Sequence, residues 1–269
     1  MESTITEAFD LTDCVAIVTG AGRGLGRAIA SRLAEAGATV VCADIVGETA
    51  EATAAHIGAA GGSAWAHPVD VTDRLAVDAL VAAAVDRHGR LDVMVNNAAV
   101  IVDSSVLDTT EADLDRVMAV NFKGVFFGCQ AAGRVMRTQE SGCIINLASG
   151  AIDIATPGLI CYSAAKVAVA QLSRTLAVEL APFHVRVNAI APGWVDTPMN
   201  ERHALRPDGT VDPERKRAYV EQRGAVLSPM GVPGEPDDIA FAALYLASPA
   251  AKFVTGIVMR PNGGSTMPI

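Results

Sequence analysis

Short apolar runs and longer stretches of helical period alternate along this chain. Val15-Ala-Ile-Val-Thr19 is an unbroken apolar run rich in β-branched residues, which predicts a buried strand, and an alanine-rich helical pattern follows through Ala36. The next units are a strand over 38–43 ending in Asp44, a helix over about 48–60, and a strand near 64–69 ending in Asp70-Val71. A helix starting near Asp73 then leads to a buried strand over 91–95 that ends in Asn96-Asn97-Ala98-Ala99. Residues Glu111 to Met136 read as one long helix whose approximate apolar face carries Leu114, Val117, Val120, Val125 and Phe126. The apolar strand CIINLA leads to Ser149, a helix after Pro157 runs to about Leu180, and a strand covers 185–189. A polar stretch from Trp194 to Pro233 precedes an amphipathic helix opened by Pro236-Asp237-Asp238 and a last strand near 256–259. This alternation predicts one large α/β domain over residues 1–269.

Composition narrows the function. With 269 residues, 51% of them hydrophobic, the chain has enough apolar material for a sizeable core, and no linker interrupts it. A net charge of −9 argues against a nucleic-acid partner, which would require a concentrated basic face. The start, MESTITEAFDLTD, is too acidic and polar for a secretory signal, and no apolar run approaches the roughly 20 residues of a membrane span, so a cytoplasmic protein is expected. Cys14, Cys42, Cys129, Cys143 and Cys161 form no C-x-x-C and read as reduced packing residues. The five histidines show no metal-ligand spacing, and no metal is expected.

Two places carry candidate chemistry. Gly20-Ala-Gly-Arg-Gly-Leu-Gly26 lies between a strand and a helix, where glycines allow a sharp turn and close approach to a ligand. The free amides and dipole at the helix start would attract a pyrophosphate, so the context predicts a dinucleotide site. Asp44, about 20 residues on, is placed to accept hydrogen bonds from the adenosine ribose hydroxyls. It would repel a 2′-phosphate by about 4 kcal/mol at 4 Å and an effective dielectric near 20, before screening, which favours NAD over NADP. Arg23, within reach of a phosphate, is the opposing feature. Asp70 either meets the adenine amine or caps the next helix, and the paired asparagines 96 and 97 either bind ligand or tie down backbone.

The second place is the segment SGAIDIATPGLICYSAAK. On a helix, Tyr162 and Lys166 lie on one face a turn apart, so the ammonium would favour the phenolate and suit the tyrosine to carry a proton. Ser149 could bring a hydroxyl to the same pocket. Asn121, a poor helix-interior residue, calls for a kink, a buried hydrogen bond or a functional role.

Together these motifs resemble the single-domain branch of the short-chain dehydrogenase/reductase family over nearly the whole chain. The family's T-G-x-x-x-G-x-G appears as Thr19 to Gly26, its N-N-A-G as NNAA with Ala99 in the last place, and its P-G element as Pro192-Gly193 followed by Thr197. Its catalytic tetrad matches Asn121, Ser149, Tyr162 and Lys166. The resemblance implies a Rossmann-like, doubly wound sheet of seven mainly parallel strands with helices on both faces. Tyr162 would be the acid/base, Ser149 would hold the substrate oxygen, and Lys166 would bind the nicotinamide ribose and depress the tyrosine pKa by about 3 units, roughly 4 kcal/mol. Asn121 would support Lys166 through a water-linked relay.

NAD would lie against Gly20, Arg23, Gly24, Leu25, Gly26, Asp44, Asp70, Val71, Asn97, Ala98, Tyr162, Lys166, Pro192, Gly193, Val195 and Thr197. Residues 194–233 would form a lid whose nearly balanced charges read as a solvated surface rather than an anion site. Ser149, Ala151, Ile152, Ile154, Leu159, Trp194 and Met199 would meet the substrate. Their apolar character favours a hydrophobic or alicyclic secondary alcohol or ketone, handled by a homotetramer. The competing readings are a 3-oxoacyl thioester reductase, opposed by Asp44, and a non-catalytic NAD sensor, which would have no need of an intact tetrad.

Overall fold

The computed structural model describes residues 4–268. Seven strands form one sheet: β1 (Val15–Thr19), β2 (Thr39–Asp44), β3 (Ser63–Pro68), β4 (Val93–Asn96), β5 (Gly142–Leu147), β6 (Val185–Ile190) and β7 (Val258–Met259). Their order is β3-β2-β1-β4-β5-β6-β7, and every neighbouring pair is parallel. In the centre Ile17 lies opposite Val41 on one side and Met94 on the other.

The period-2 alternation of the strands divides the core into two layers. Ala16 and Val18 of β1 face a cluster with Ile29 and Leu33 of α2 (Gly24–Glu35), Ala50 and Ile57 of α3 (Gly47–Ala59), and Ile239, Ala243 and Leu246 of α9 (Pro236–Ala247). Val15 and Ile17 face the opposite cluster, with Leu80 and Ala84 of α4 (Arg74–His88), Ala132 and Met136 of α6 (Val125–Gln139), and Val169 and Ala177 of α7 (Ile160–Leu180). In α2 the buried residues Gly26, Ile29, Ala30, Leu33 and Ala34 recur at the spacing of one helix face.

The structure departs from the sequence reading at several elements. A short helix α1 (Ile5–Phe9) precedes β1, and its start is a capping box: Glu7 N donates to Thr4 Oγ1 at 3.3 Å and Thr4 N donates to Glu7 Oε2 at 2.7 Å. The expected continuous helix over 111–136 is α5 (Glu111–Met118), a π-helical segment (Ala119–Gly124), then α6, which runs on to Gln139. The last strand contains only Val258 and Met259. Within the polar stretch after β6 lie a 3₁₀ segment (Pro198–His203) and α8 (Pro213–Leu227), capped by Asp212, whose carboxylate accepts from Glu214 N and Arg215 N.

Candidate active site

Between β1 and β4 the strand order reverses, and the carboxyl ends of these strands border a crevice. The turn after β1 fits there because glycines stand where its backbone comes closest to its neighbours. Gly20 has φ +65°, and a Cβ on it would lie 2.9 Å from the Ala98 Cα; one on Gly26 would lie 2.0 Å from the Gly20 oxygen. Any side chain at 26 would therefore push α2 off the strand it packs against. Thr19 and Asn97 stitch the two strand ends together. Thr19 Oγ1 accepts from the amides of Asn97 (3.0 Å) and Ala98 (3.2 Å), and Asn97 Nδ2 donates to the carbonyls of Thr19 (2.9 Å) and Gly20 (3.1 Å). Asn96 Nδ2 donates to Asn146 Oδ1 at 2.8 Å, so both asparagine side chains tie down structure.

Arg23 at the N-cap of α2 is exposed and contributes no side-chain cap, which leaves the first amides of the helix as donors for an anion. Asp44 sits at the rim of this turn, its Oδ2 accepting from Gly22 N at 2.9 Å and its Oδ1 from Val46 N at 3.0 Å. Asp70 is exposed and its Oδ1 accepts from both the amide and the hydroxyl of Thr72, while the α4 cap is Asp73. The glycine turn, the helix start without a side-chain cap and the rim carboxylate fit a dinucleotide.

On the other side of the crevice α7 presents Tyr162 and Lys166. The Lys166 side chain is 1% exposed, its Nζ donates to the Leu147 carbonyl at 2.7 Å, and it lies 5.6 Å from the centre of the Tyr162 ring. Burial pushes this ammonium down to about 8. Burial also pushes the Tyr162 phenol up from its ordinary value, against the pull of the Ser149 hydroxyl and the Arg202 charge. The sequence predicts the reverse for Tyr162. The reason for the difference is that Lys166 lies over the ring and donates its hydrogen bond to the Leu147 carbonyl rather than to the phenol oxygen, leaving desolvation as the largest effect on the phenol. Ser149 Oγ also accepts from Ala151 N at 3.2 Å. Asn121, fully buried in the π-helical segment, grips the strand exit: its Oδ1 accepts from Val100 N and its Nδ2 donates to the Val100 carbonyl, both at 2.8 Å.

A family described as enoyl-(acyl carrier protein) reductase matches residues 20–266. A short-chain reductase protein, NovJ, from Streptomyces niveus is 41% identical over 259 residues, covering 96% of each chain. The chain belongs to the short-chain dehydrogenase/reductase family. A 3beta-hydroxysteroid dehydrogenase 1 from Eggerthella lenta is 39% identical, covering 96% of this chain and 95% of the other. A crystal structure of a short-chain type dehydrogenase/reductase from Mycobacterium marinum superposes with a TM-score of 0.90 at 32% identity, covering 98% of this chain and 100% of that one. This protein is accordingly an oxidoreductase of a family that binds NAD(P), with relatives named as acting on alcohol groups.

In this short-chain dehydrogenase/reductase the remaining predicted residues divide among the end of β6, the glycine turn, the core layers and the polar stretch after β6. Pro192 and Gly193 close the end of β6: the Pro192 carbonyl accepts from Gly150 N at 2.8 Å, and Gly193 N donates to the Pro261 carbonyl at 3.2 Å. Thr197 stands at the N-terminal boundary of the 3₁₀ segment without a side-chain cap, beside the glycine turn, where a Cβ on Gly24 would lie 3.2 Å from Pro198 Cδ. The Val195, Leu25 and Val71 side chains pack into the core layers, so at Val195, 7% exposed, the backbone is what can face a cofactor. Among the substrate candidates, Ile152 packs on Ala148, Ala189 and Ala191, whereas Ile154 is 46% exposed. Ala151, Leu159 and Met199 are half-buried. Trp194 is anchored on α8, its Nε1 donating to the Val220 carbonyl at 3.1 Å and its ring meeting Tyr219 edge-on at 5.8 Å.

The sequence reading missed Asp103. Its Oδ2 accepts from Arg202 Nε at 2.6 Å, joining the loop after β4 to the 3₁₀ segment after β6. The partners are 99 residues apart, and no local pattern signals the pair. Among the described residues no three or more His, Cys, Asp or Glu side chains are grouped to hold a metal, and no helix is long and apolar enough to cross a membrane.

Proposed function

We propose that this protein transfers a hydride between NAD(H) and a secondary alcohol or ketone with an apolar or alicyclic body. The observation that carries the reading is the meeting of Ser149, Tyr162 and buried Lys166 in a fold whose glycine turn after β1 fits a dinucleotide. When bound, the nicotinamide would supply or accept the hydride, and the protein's own groups would manage the oxygen and its proton.

Ser149 would hold the substrate oxygen by a hydrogen bond. Tyr162, kept protonated at neutral pH by its buried setting, would give its proton to a ketone oxygen as the hydride arrives and take it back in the oxidation direction. Lys166 would bind the nicotinamide ribose, gaining the polar partners that its apolar surroundings lack. Asn121 would support Lys166 through a water. Asp44 would accept from the adenosine ribose hydroxyls and disfavour a 2′-phosphate, which supports NAD over NADP. The relative named as a 3beta-hydroxysteroid dehydrogenase supports an alicyclic alcohol. The protein would work in the cytoplasm as a homotetramer on a small-molecule substrate.

Tyr162→Phe is the test. Turnover of cyclic secondary alcohols, followed at the absorbance of reduced nicotinamide, is expected to fall by about 10² to 10⁴. NADH binding, followed by fluorescence, is expected to persist. Near wild-type turnover in the variant would remove Tyr162 from the role.

A further inference from the structure

The lid that the sequence presents as a solvated charged surface contains an arginine whose hydrogen-bonding edge is only half used. Three other arginines meet an aspartate with both Nε and Nη2: Arg32 with Asp237, Arg90 with Asp92, and Arg260 with Asp153. Arg202 meets Asp103 through Nε alone at 2.6 Å, its Nη1 donates to the Met199 carbonyl, and its Nη2 makes no hydrogen bond to the described residues. The Nε–Nη2 edge is the one a carboxylate fills with two parallel bonds.

Arg202 is also placed at the reaction. Its side chain is 25% exposed, in the 3₁₀ segment that carries Met199, and its charge reaches the Tyr162 phenol. Asp103, the counter-ion, is 47% exposed and therefore easily hydrated when displaced. A second cation lies nearby. Arg223 stacks over Trp194 at 5.7 Å, has no carboxylate partner among the described residues, and has a buried Nε without an acceptor. Burial holds the His203 imidazole below its ordinary value, and the charges of Arg202 and Arg223 push it the same way. A half-buried guanidinium with a buried, unpartnered Nε and a second one whose edge is half filled form a donor set suited to an anion.

We propose that the lid selects substrates carrying a carboxylate, gripped by Arg202 through Nε and Nη2 in exchange for Asp103, with Arg223 as the second positive charge. This rests on the reading of the site as an NAD(H)-dependent alcohol oxidoreductase and names its substrate class: an apolar hydroxy acid or keto acid, with the acid group a few atoms from the reacting carbon. A planar two-oxygen group suits the guanidinium edge, and the half-buried apolar residues beside Ser149 suit the rest of the molecule.

The test compares 2-, 3- and 4-hydroxycyclohexane carboxylates with their methyl esters, using wild type, Arg202→Met, Arg202→Lys and Arg223→Met, each checked for NADH binding. In the wild type kcat/KM for at least one acid is expected to exceed that of its ester by roughly 10- to 100-fold, the range for a charge-assisted pair. Arg202→Met is expected to bring the acid/ester ratio to about one, and Arg202→Lys, which keeps the charge without the fork, to an intermediate value. Arg223→Met is expected to lower the ratio by less than Arg202→Met. Tyr162-dependent turnover with acids and esters used equally well overturns the inference and leaves the oxidoreductase reading standing. An acid preference that survives Arg202→Met also overturns it. Absence of Tyr162-dependent turnover of every acid and ester overturns both.

Discussion

Both oxygens of Asp44 are held by backbone amides, Oδ2 by Gly22 and Oδ1 by Val46, which pins its charge at the rim of the glycine turn. Asp44→Ala should therefore lower the ratio of NADPH to NADH dissociation constants by about tenfold or more, allowing for screening. An unchanged ratio in titrations with the two nucleotides would place the ribose contact elsewhere. Lys166 yields a prediction with a sign. Its ammonium is pushed down to about 8 from 10.5, so below pH 8 both folded and unfolded chains carry the proton and the full cost of burying the charge, roughly 3 kcal/mol, is present. Between pH 8 and 10.5 the folded chain releases the proton first and that cost is relieved. Lys166→Met, measured without nucleotide, should therefore unfold at a higher temperature than wild type at pH 7, with the gap shrinking toward pH 10. A gap that stays constant with pH would contradict the buried ammonium. The Tyr-x-x-x-Lys spacing makes the pair legible in the sequence. The direction of the Tyr162 shift is not, because it depends on how far each group is removed from water and on Lys166 reaching Leu147, and neither is a property of spacing.

The segment Ala119–Gly124 shows what an element can hide. Its apolar period reads as continuous helix, and only Asn121, out of place in a helix interior, marks the irregularity. The π-helical turn brings Asn121 to both the amide and the carbonyl of Val100, fixing the chain as it leaves β4. Asn121→Ala would strand two backbone groups that it now satisfies, and unfolding experiments should register a loss of about 2–4 kcal/mol. A loss under about 0.5 kcal/mol would mean that water replaces the amide readily. Strands β1, β2, β4, β5 and β6 were legible because buried parallel strands are short β-branched or apolar runs. The stretch over 194–233 was legible only as polar sequence. Its aromatic anchors, Trp194 on Tyr219 and His203 stacked at 4.4 Å from the same ring, come from different turns of the chain and meet only in three dimensions. The Arg202–Asp103 contact is hidden for the same reason.

For the molecule as a whole, the two-layer packing around a parallel sheet follows from the alternation of elements, and the position of the crevice follows from where the strand order reverses. How copies associate does not follow from either. Phe253 is fully exposed, Phe241 is 52% exposed and Met267 is 79% exposed, all near the C-terminal end. The proposed homotetramer should appear in light scattering at four times the 27.8 kDa of one chain, and a monomeric mass would leave these residues facing water. The strand order also has a consequence for synthesis. β1 can pair with β2 once both have emerged, but its other neighbour is β4, so its inner edge has no native partner until Val93 leaves the ribosome. At about 5–20 residues per second that edge stays open for several seconds, and it belongs to a strand whose five residues are all buried in the finished protein. Slow codons or a stalled ribosome between Thr39 and Val93 would hold the nascent chain in the form most able to pair with a neighbouring one.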